Sequence, residues 1–158
     1  MPGQIDYSKL RILPDSDTKE WWEATKRRKY LVRQCKSCGH KFFPPLPACA
    51  KCTSMDLGWF ETVGRGVIHS YCVVVQPILG AFIPAAPYVV AVIELDDCRE
   101  ADGSVTRVAG VLTNDEAETA MGHPVEVTFD ETPNPGIVVP RWRICGAGAD
   151  ADTWRFTE

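Results

Sequence analysis

Long apolar runs are missing from this 158-residue chain, so no segment is suited to cross a bilayer as a helix. The first residues are polar and lack a secretory hydrophobic region, so no leader is expected. There is no Gly-x-Gly-x-x-Gly or Walker loop to cradle a nucleotide, and no Gly-x-Ser-x-Gly elbow for a serine nucleophile. Histidine is scarce. His40, His69 and His123 are scattered over a ribbon surface, a strand and a bend, with no Ser-His-Asp order around them. A cationic excess is absent as well: 17 Lys and Arg against 21 Asp and Glu leave a net charge of −4, which argues against a general nucleic-acid binder. What remains is 45% hydrophobic and 24% charged residues, enough to bury a core in one domain or in a small domain with an appendage.

Cysteine is plentiful and patterned. Cys35-Lys36-Ser37-Cys38-Gly39 and Cys49-Ala50-Lys51-Cys52 form two Cys-x-x-Cys pairs. Each pair can sit at the tip of a tight turn with both thiolates aimed at one centre, and Gly39 suits a turn that needs positive φ. Two such knuckles make a tetrahedral four-sulfur cage for zinc, although iron would use the same ligands. Four cysteines close the coordination shell, so the site reads as structural rather than catalytic. A disulfide framework would suit a small secreted chain, and a thioredoxin-like centre needs one pair rather than two. Cys72, Cys98 and Cys145 lie outside the motif, an odd set that fits a reducing cytoplasm. Cys72 stands in the apolar run Tyr71-Cys72-Val73 and is expected to be a buried, inert thiol.

Taken in order, residues 1–29 read as an extended arm followed by a helix. Asp17 and Glu20 have capping-box spacing, and the helix should run to about Lys29. It carries two adjacent tryptophans, Trp21 and Trp22, and a basic run, Lys26-Arg27-Arg28-Lys29. Trp21 and Trp22 either pack on their own domain or anchor a partner. The basic run, extended by Arg33, Lys36 and Lys41, either forms a solvated face or meets phosphates or an acidic surface. Residues 30–57 form the metal ribbon, with Tyr30–Gln34 and Lys41–Phe43 as its strands, too small to fold without the metal. Residues 58–145 change to strands: Trp59–Val63, Val67–Gln76, Tyr88–Leu95, Val105–Leu112 and Val125–Phe129, with a helical turn at Glu116–Ala120 and Arg141–Ile144 as a further edge. Five such strands with glycines at the bends predict a small OB-type barrel. The Pro77–Pro87 loop exposes Ile78, Leu79, Phe82 and Ile83, and residues 146–158 form a loosely held tail.

These pieces together resemble the acyl-CoA-associated family first catalogued as domain of unknown function thirty-five, which joins a rubredoxin-like zinc ribbon to an OB-fold. The matching residues are Trp21-Trp22, Leu31-x-x-Gln34-Cys35-x-x-Cys38-Gly39, Phe43-Pro44-Pro45, Cys49-x-x-Cys52, Trp59, Gly64-Arg65-Gly66, Pro87 to Leu95 and Met121-Gly122-x-Pro124-Val125-x-Val127. Leu46 departs from the arginine often found after the two prolines.

The resemblance implies a mainly β protein: an N-terminal helix, a zinc ribbon bound through Cys35, Cys38, Cys49 and Cys52, then a five-stranded OB-fold barrel. It implies a cytoplasmic, non-catalytic accessory subunit of a thiolase-like enzyme, a thiolase or an acyl-CoA aldolase, assembled two plus two. The ligand of that complex would be a CoA thioester. Trp21, Trp22, Lys26, Arg27, Arg28 and Lys29 would face the partner or CoA. The alternative from another class is a nucleic-acid-binding zinc-ribbon and OB module, which the acidic charge and the lack of stacking residues among basic ones disfavour.

Overall fold

A computed structural model of the chain describes residues 3–147. The N-terminal arm lies along the barrel. The Asp6 amide donates to the Ala81 carbonyl at 2.8 Å, and the Tyr7 hydroxyl donates to Asp130 at 2.8 Å. Helix α1 spans Lys19–Lys26. Its start is organised by Asp15, not by Asp17 and Glu20: Asp15 Oδ1 accepts from the amides of Asp17 and Thr18 and from the Thr18 hydroxyl. Its end comes earlier than the reading to Lys29. Arg28 takes φ +60°, its amide donates to the Thr25 carbonyl, and the Lys29 amide donates to the Ala24 carbonyl. This is a Schellman stop with arginine where glycine is usual, so no sequence signal marks it.

Strands follow as β1 (Tyr30–Cys35), β2 (Lys41–Phe42), β3 (Leu57–Thr62), β4 (Arg65–Val74), β5 (Tyr88–Arg99), β6 (Val105–Val111), β7 (Pro124–Glu131) and β8 (Val138–Ile144). They form two antiparallel sheets, β2-β1-β3 and β6-β5-β4-β7-β8. The larger sheet curls until its outer strands meet. The Thr113 amide donates to the Trp142 carbonyl at 2.7 Å, and Leu112 bridges to Trp142, which gives the half-barrel of an OB-fold.

The expected count of five barrel strands holds, but the membership differs. Trp59–Val63, read as the first barrel strand, pairs along its length with β1, from Tyr30↔Thr62 to Cys35↔Leu57. The Arg141–Ile144 edge is a full strand beside β7, from Val125↔Ile144 to Glu131↔Val138. Alternation announces a strand without naming its neighbour. Here the neighbour is chosen by contacts such as the Arg33 guanidinium, 4.0 Å above the Trp59 ring on the opposing strand.

Between the sheets the chain turns a tight corner. The Val63 amide donates to Asp97 at 2.7 Å, the Gly64 amide to the Thr62 hydroxyl at 3.0 Å, and the Val127 amide to the Gly64 carbonyl at 2.8 Å. A Cβ on Gly64 (φ +68°) would sit 2.5 Å from a Val127 methyl, so glycine is required there.

One core runs through all three parts. Trp21 and Ala24 of the helix and Tyr30 and Val32 of the ribbon pack with Ile68, Val89, Ile93, Leu95, Val108 and Trp142 of the barrel. A small separate cluster, Cys35, Phe42 and Cys49 with Leu57, lies at the metal end. Cys72 corrects the expectation of a buried thiol. Its register partner is Val90, on the row facing away from the core, and it is exposed. Ile78, Leu79 and Ile83 of the Pro77–Pro87 loop are exposed as expected, whereas Phe82 tilts onto Tyr88 with ring centroids 5.3 Å apart. Glu116–Glu118 is a short 3-10 turn. Most of the expected tail lies outside the described residues.

Candidate metal centre and subunit surfaces

The two knuckles have the same backbone. In the first, the Gly39 amide donates to the Cys35 carbonyl, and the Cys35 amide to the His40 carbonyl, both at 2.9 Å. In the second, Thr53 to Cys49 and Cys49 to Ser54 repeat both bonds at 2.9 Å. The fifth residue of each knuckle adopts positive φ, Gly39 at +76° and Thr53 at +62°. Thr53 thus takes the place of a glycine, a substitution that no local sequence pattern announces. The Ser37 and Ser54 hydroxyls lie 2.9 Å apart and tie one knuckle to the other.

The four sulfurs lie within 4.8 Å of one another. Cys35 and Cys52 are 3.6 Å apart, and Cys38 and Cys49 are 3.7 Å apart. A tetrahedron with zinc–sulfur bonds of about 2.3 Å has edges of about 3.8 Å, so the cage has the size of a zinc site. The electrostatics ask for a cation. The amides of Cys38 and Ser37 draw the Cys35 thiol down to about 6. The His40 amide also favours a Cys38 thiolate, but desolvation and the sulfurs of Cys52, Cys35 and Cys49 outweigh it and push that thiol up to about 12. Four thiolates in this space therefore require a divalent ion to offset their repulsion. Zinc bound here would be held by all four cysteines, and its chemistry would be structural, with no ligand position left for water.

The second knuckle is latched to the barrel. Lys51 Nζ reaches Glu100 at 3.2 Å and Asp102 at 3.1 Å in the β5–β6 turn. His40 Nδ1 lies 2.6 Å from Glu100, which also accepts the Lys41 amide. His40 is therefore a strut between ribbon and barrel rather than a free surface residue. These partners are about 50 to 60 positions apart in sequence, and no local pattern announces them.

The residues expected to face a partner divide. Trp21 is buried, donates its indole N–H to the Leu31 carbonyl at 3.1 Å and packs edge-on against Trp22 and Tyr30. It holds the helix on the protein. Trp22 is half-buried and keeps an outer surface. The basic run is largely answered from within: Lys26 pairs with Glu23, Arg28 with Glu131 and Lys29 with Glu61. Arg27 alone of the four makes no salt bridge among the described residues.

The four cysteines are the one metal-ligating cluster among the described residues. His69 leans on Glu94 at 3.2 Å, and buried His123 has no partner for Nδ1. No helix among the described residues is long and apolar enough to cross a membrane.

Comparison with known proteins agrees with this geometry. Residues 22–57 match the rubredoxin-like zinc ribbon domain of ChsH2, and residues 59–130 match its C-terminal OB-fold domain. A DUF35 domain-containing scaffold protein of Methanocaldococcus jannaschii is 33% identical over 122 residues, covering 75% of this chain and 80% of that protein. A probable enoyl-CoA hydratase alpha subunit of Thermomonospora curvata is 35% identical over 127 residues, 80% of this chain, and the chain spans 37% of that relative's length. The solved structure of the Ltp2-ChsH2(DUF35) aldolase contains a chain that superposes with a TM-score of 0.68 at 31% identity, covering 85% of this chain and 98% of that one.

Proposed function

Because the chain belongs to the DUF35 family of zinc-ribbon and OB-fold scaffold proteins, we propose that it is a non-catalytic subunit of an acyl-CoA enzyme complex. Its partner is a thiolase-superfamily enzyme, a thiolase or an acyl-CoA aldolase, and the subunit helps to form that enzyme's acyl-CoA site in the cytoplasm. Two copies of each chain make up the assembly. The observation that carries the reading is the four-cysteine cage: the one metal-ligating cluster among the described residues is a closed, structural site, on a fold shared with proteins named as scaffolds. The names of the relatives, a scaffold protein, a hydratase alpha subunit and an aldolase, support a role within enzyme assemblies.

The helix then contributes Trp22 and Arg27 at its outer side. The pairs made by Lys26, Arg28 and Lys29 are exposed and weak in water, so a CoA phosphate could take them over with little loss. Trp21 supports the helix from beneath. Co-expression with a candidate thiolase-like enzyme should yield a complex that survives size-exclusion chromatography, while the isolated chain turns over no acyl-CoA. Two proteins that elute separately, with the enzyme fully active alone, would remove the proposal.

A further inference from the structure

The outward face of the five-stranded sheet is divided into two chemically distinct halves. Cross-strand register places Arg107 beside Glu94, and Arg65 beside Glu126 and then Arg143, all on the side away from the core. Glu94 accepts from Arg107 at 2.8 Å and Arg99 at 3.3 Å, and His69 lies 3.2 Å away. Glu126 holds Arg143, and Arg65 lies 3.7 Å from it. Four arginines thus share two glutamates.

The glutamates are the recessed members. Arg65, Arg99, Arg107 and Arg143 have 61%, 57%, 49% and 57% of their side chains exposed, against 22% for Glu94 and 28% for Glu126. The carboxylates below fix the guanidinium groups in place, and what meets the solvent is positive. Both carboxyls are held below their usual range, Glu94 chiefly by Arg107 and Glu126 chiefly by Arg143. This band stands on a chain whose net charge is −4.

Along the same strands the charge stops. Moving two residues at a time, Arg107 gives way to Ala109 and Val111, and Glu94 to Val92 and Val90, with Cys72 opposite Val90. The rows end in an apolar groove of about 440 Å³ between Val74, Val90 and Val111 on the sheet and Ile78, Leu79 and Phe82 on the loop. Ile78 is 99% exposed at the groove's rim.

We infer that this face, and not the helix, is the principal docking surface for the partner subunit, and that the partner offers an apolar ridge for the groove and carboxylates for the arginine band. The inference rests on the subunit reading above. Charge selects the occupant. A locally positive face on an acidic protein suits a locally acidic protein surface, whereas the long-range charge of the whole chain opposes a polyanion or an anionic bilayer. The apolar half supplies burial, and the arginines supply orientation and rate of encounter.

The test uses the full chain and the co-expressed enzyme. Arg107→Glu with Arg143→Glu, and separately Ile78→Asp, should each weaken the complex by about ten-fold or more in calorimetry. Lys19→Glu at the exposed start of the helix should change it by no more than about two-fold. Wild-type affinity should fall with added salt. A readout free of mutation is alkylation of Cys72, which should slow by about ten-fold when the enzyme is bound. If the wild-type complex forms but the face variants bind normally, or Cys72 stays equally reactive, this surface is not the interface and the subunit reading survives. If no wild-type complex forms, both readings fall. Sedimentation with phosphatidylcholine–phosphatidylserine vesicles that the same face variants abolish would assign the face to a membrane and overturn the inference.

Discussion

Removing the metal from the four-cysteine cage should melt one end of the protein and leave the other intact. The knuckles keep only a small apolar cluster of their own, Cys35, Phe42 and Cys49 with Leu57. Burial of Phe42 supplies about 1.5–3 kcal/mol and the partly buried Leu57 less, whereas a structural four-cysteine zinc site contributes about 10–16 kcal/mol. With the metal gone, the dominant contribution to this end is lost, and the remaining thiols cannot share one charge centre. The core through Trp21, Val32, Ile68, Val89 and Trp142 involves none of the cysteine ligands. Hydrogen exchange before and after chelation measures the contrast. The amides of Gly39 and Thr53, bonded to the Cys35 and Cys49 carbonyls, should lose protection. Those of Ile68 and Leu112, bonded to the His123 and Val89 carbonyls, should retain theirs. Cys38→Ser should reproduce the pattern. Simultaneous loss at Ile68 and Leu112, or unchanged protection at Gly39 and Thr53, would refute the division into two ends.

Thr53→Gly relieves a β-branched residue at φ +62° and should stabilise the metal-loaded protein by about 1 kcal/mol, visible as a Tm rise of a few degrees. Gly110→Ala should cost about 1–3 kcal/mol in urea unfolding, because its Cβ would lie 2.2 Å from the ring of buried Trp142. In thiol titration of the metal-loaded protein, Cys72 should react at once and Cys98 only on unfolding, since burial pushes the Cys98 thiol up to about 12. Glu100→Gln should lower stability by about 1 kcal/mol at neutral pH by weakening the contacts to His40 and Lys51. Burial opposes ionisation of Glu100, yet the Lys41 amide, His40 and Lys51 hold its carboxyl below the usual value. That stabilising contribution is therefore complete above the unfolded value of about 4.3 and is lost as pH falls through the lower folded one, so wild type and variant should converge in acid.

The parts of the molecule legible in sequence were those built from local pattern. Two Cys-x-x-Cys pairs specify a cage wherever the chain puts them, and alternating Tyr88–Leu95 can be nothing but a strand with one buried row. What sequence concealed was long-range choice. Trp59 reads equally well in either sheet until Arg33 appears on the opposite strand. Cys72 sits among apolar residues and still faces out, because a bulge between Ile68 and Ser70 shifts the register of β4 and inverts the alternation that would otherwise turn it inward. Asp15, Arg28 and Thr53 perform tasks usually signalled by other residues or positions, so the helix boundaries and the second knuckle departed from the composition rules. The arginine band takes one arginine from each of β4, β5, β6 and β8, and no window of sequence contains it.

The corner at Thr62–Arg65 has a mechanical consequence. A glycine between two sheets would ordinarily serve as a hinge, but the amides of Val63 and Gly64 and the carbonyl of Gly64 are all engaged, by Asp97, Thr62 and Val127. Bending there would break three bonds at once. The metal tip and the barrel therefore move as a single lever arm. A partner that grips both must match a fixed span, so the complex should discriminate among enzymes by length as well as by chemistry.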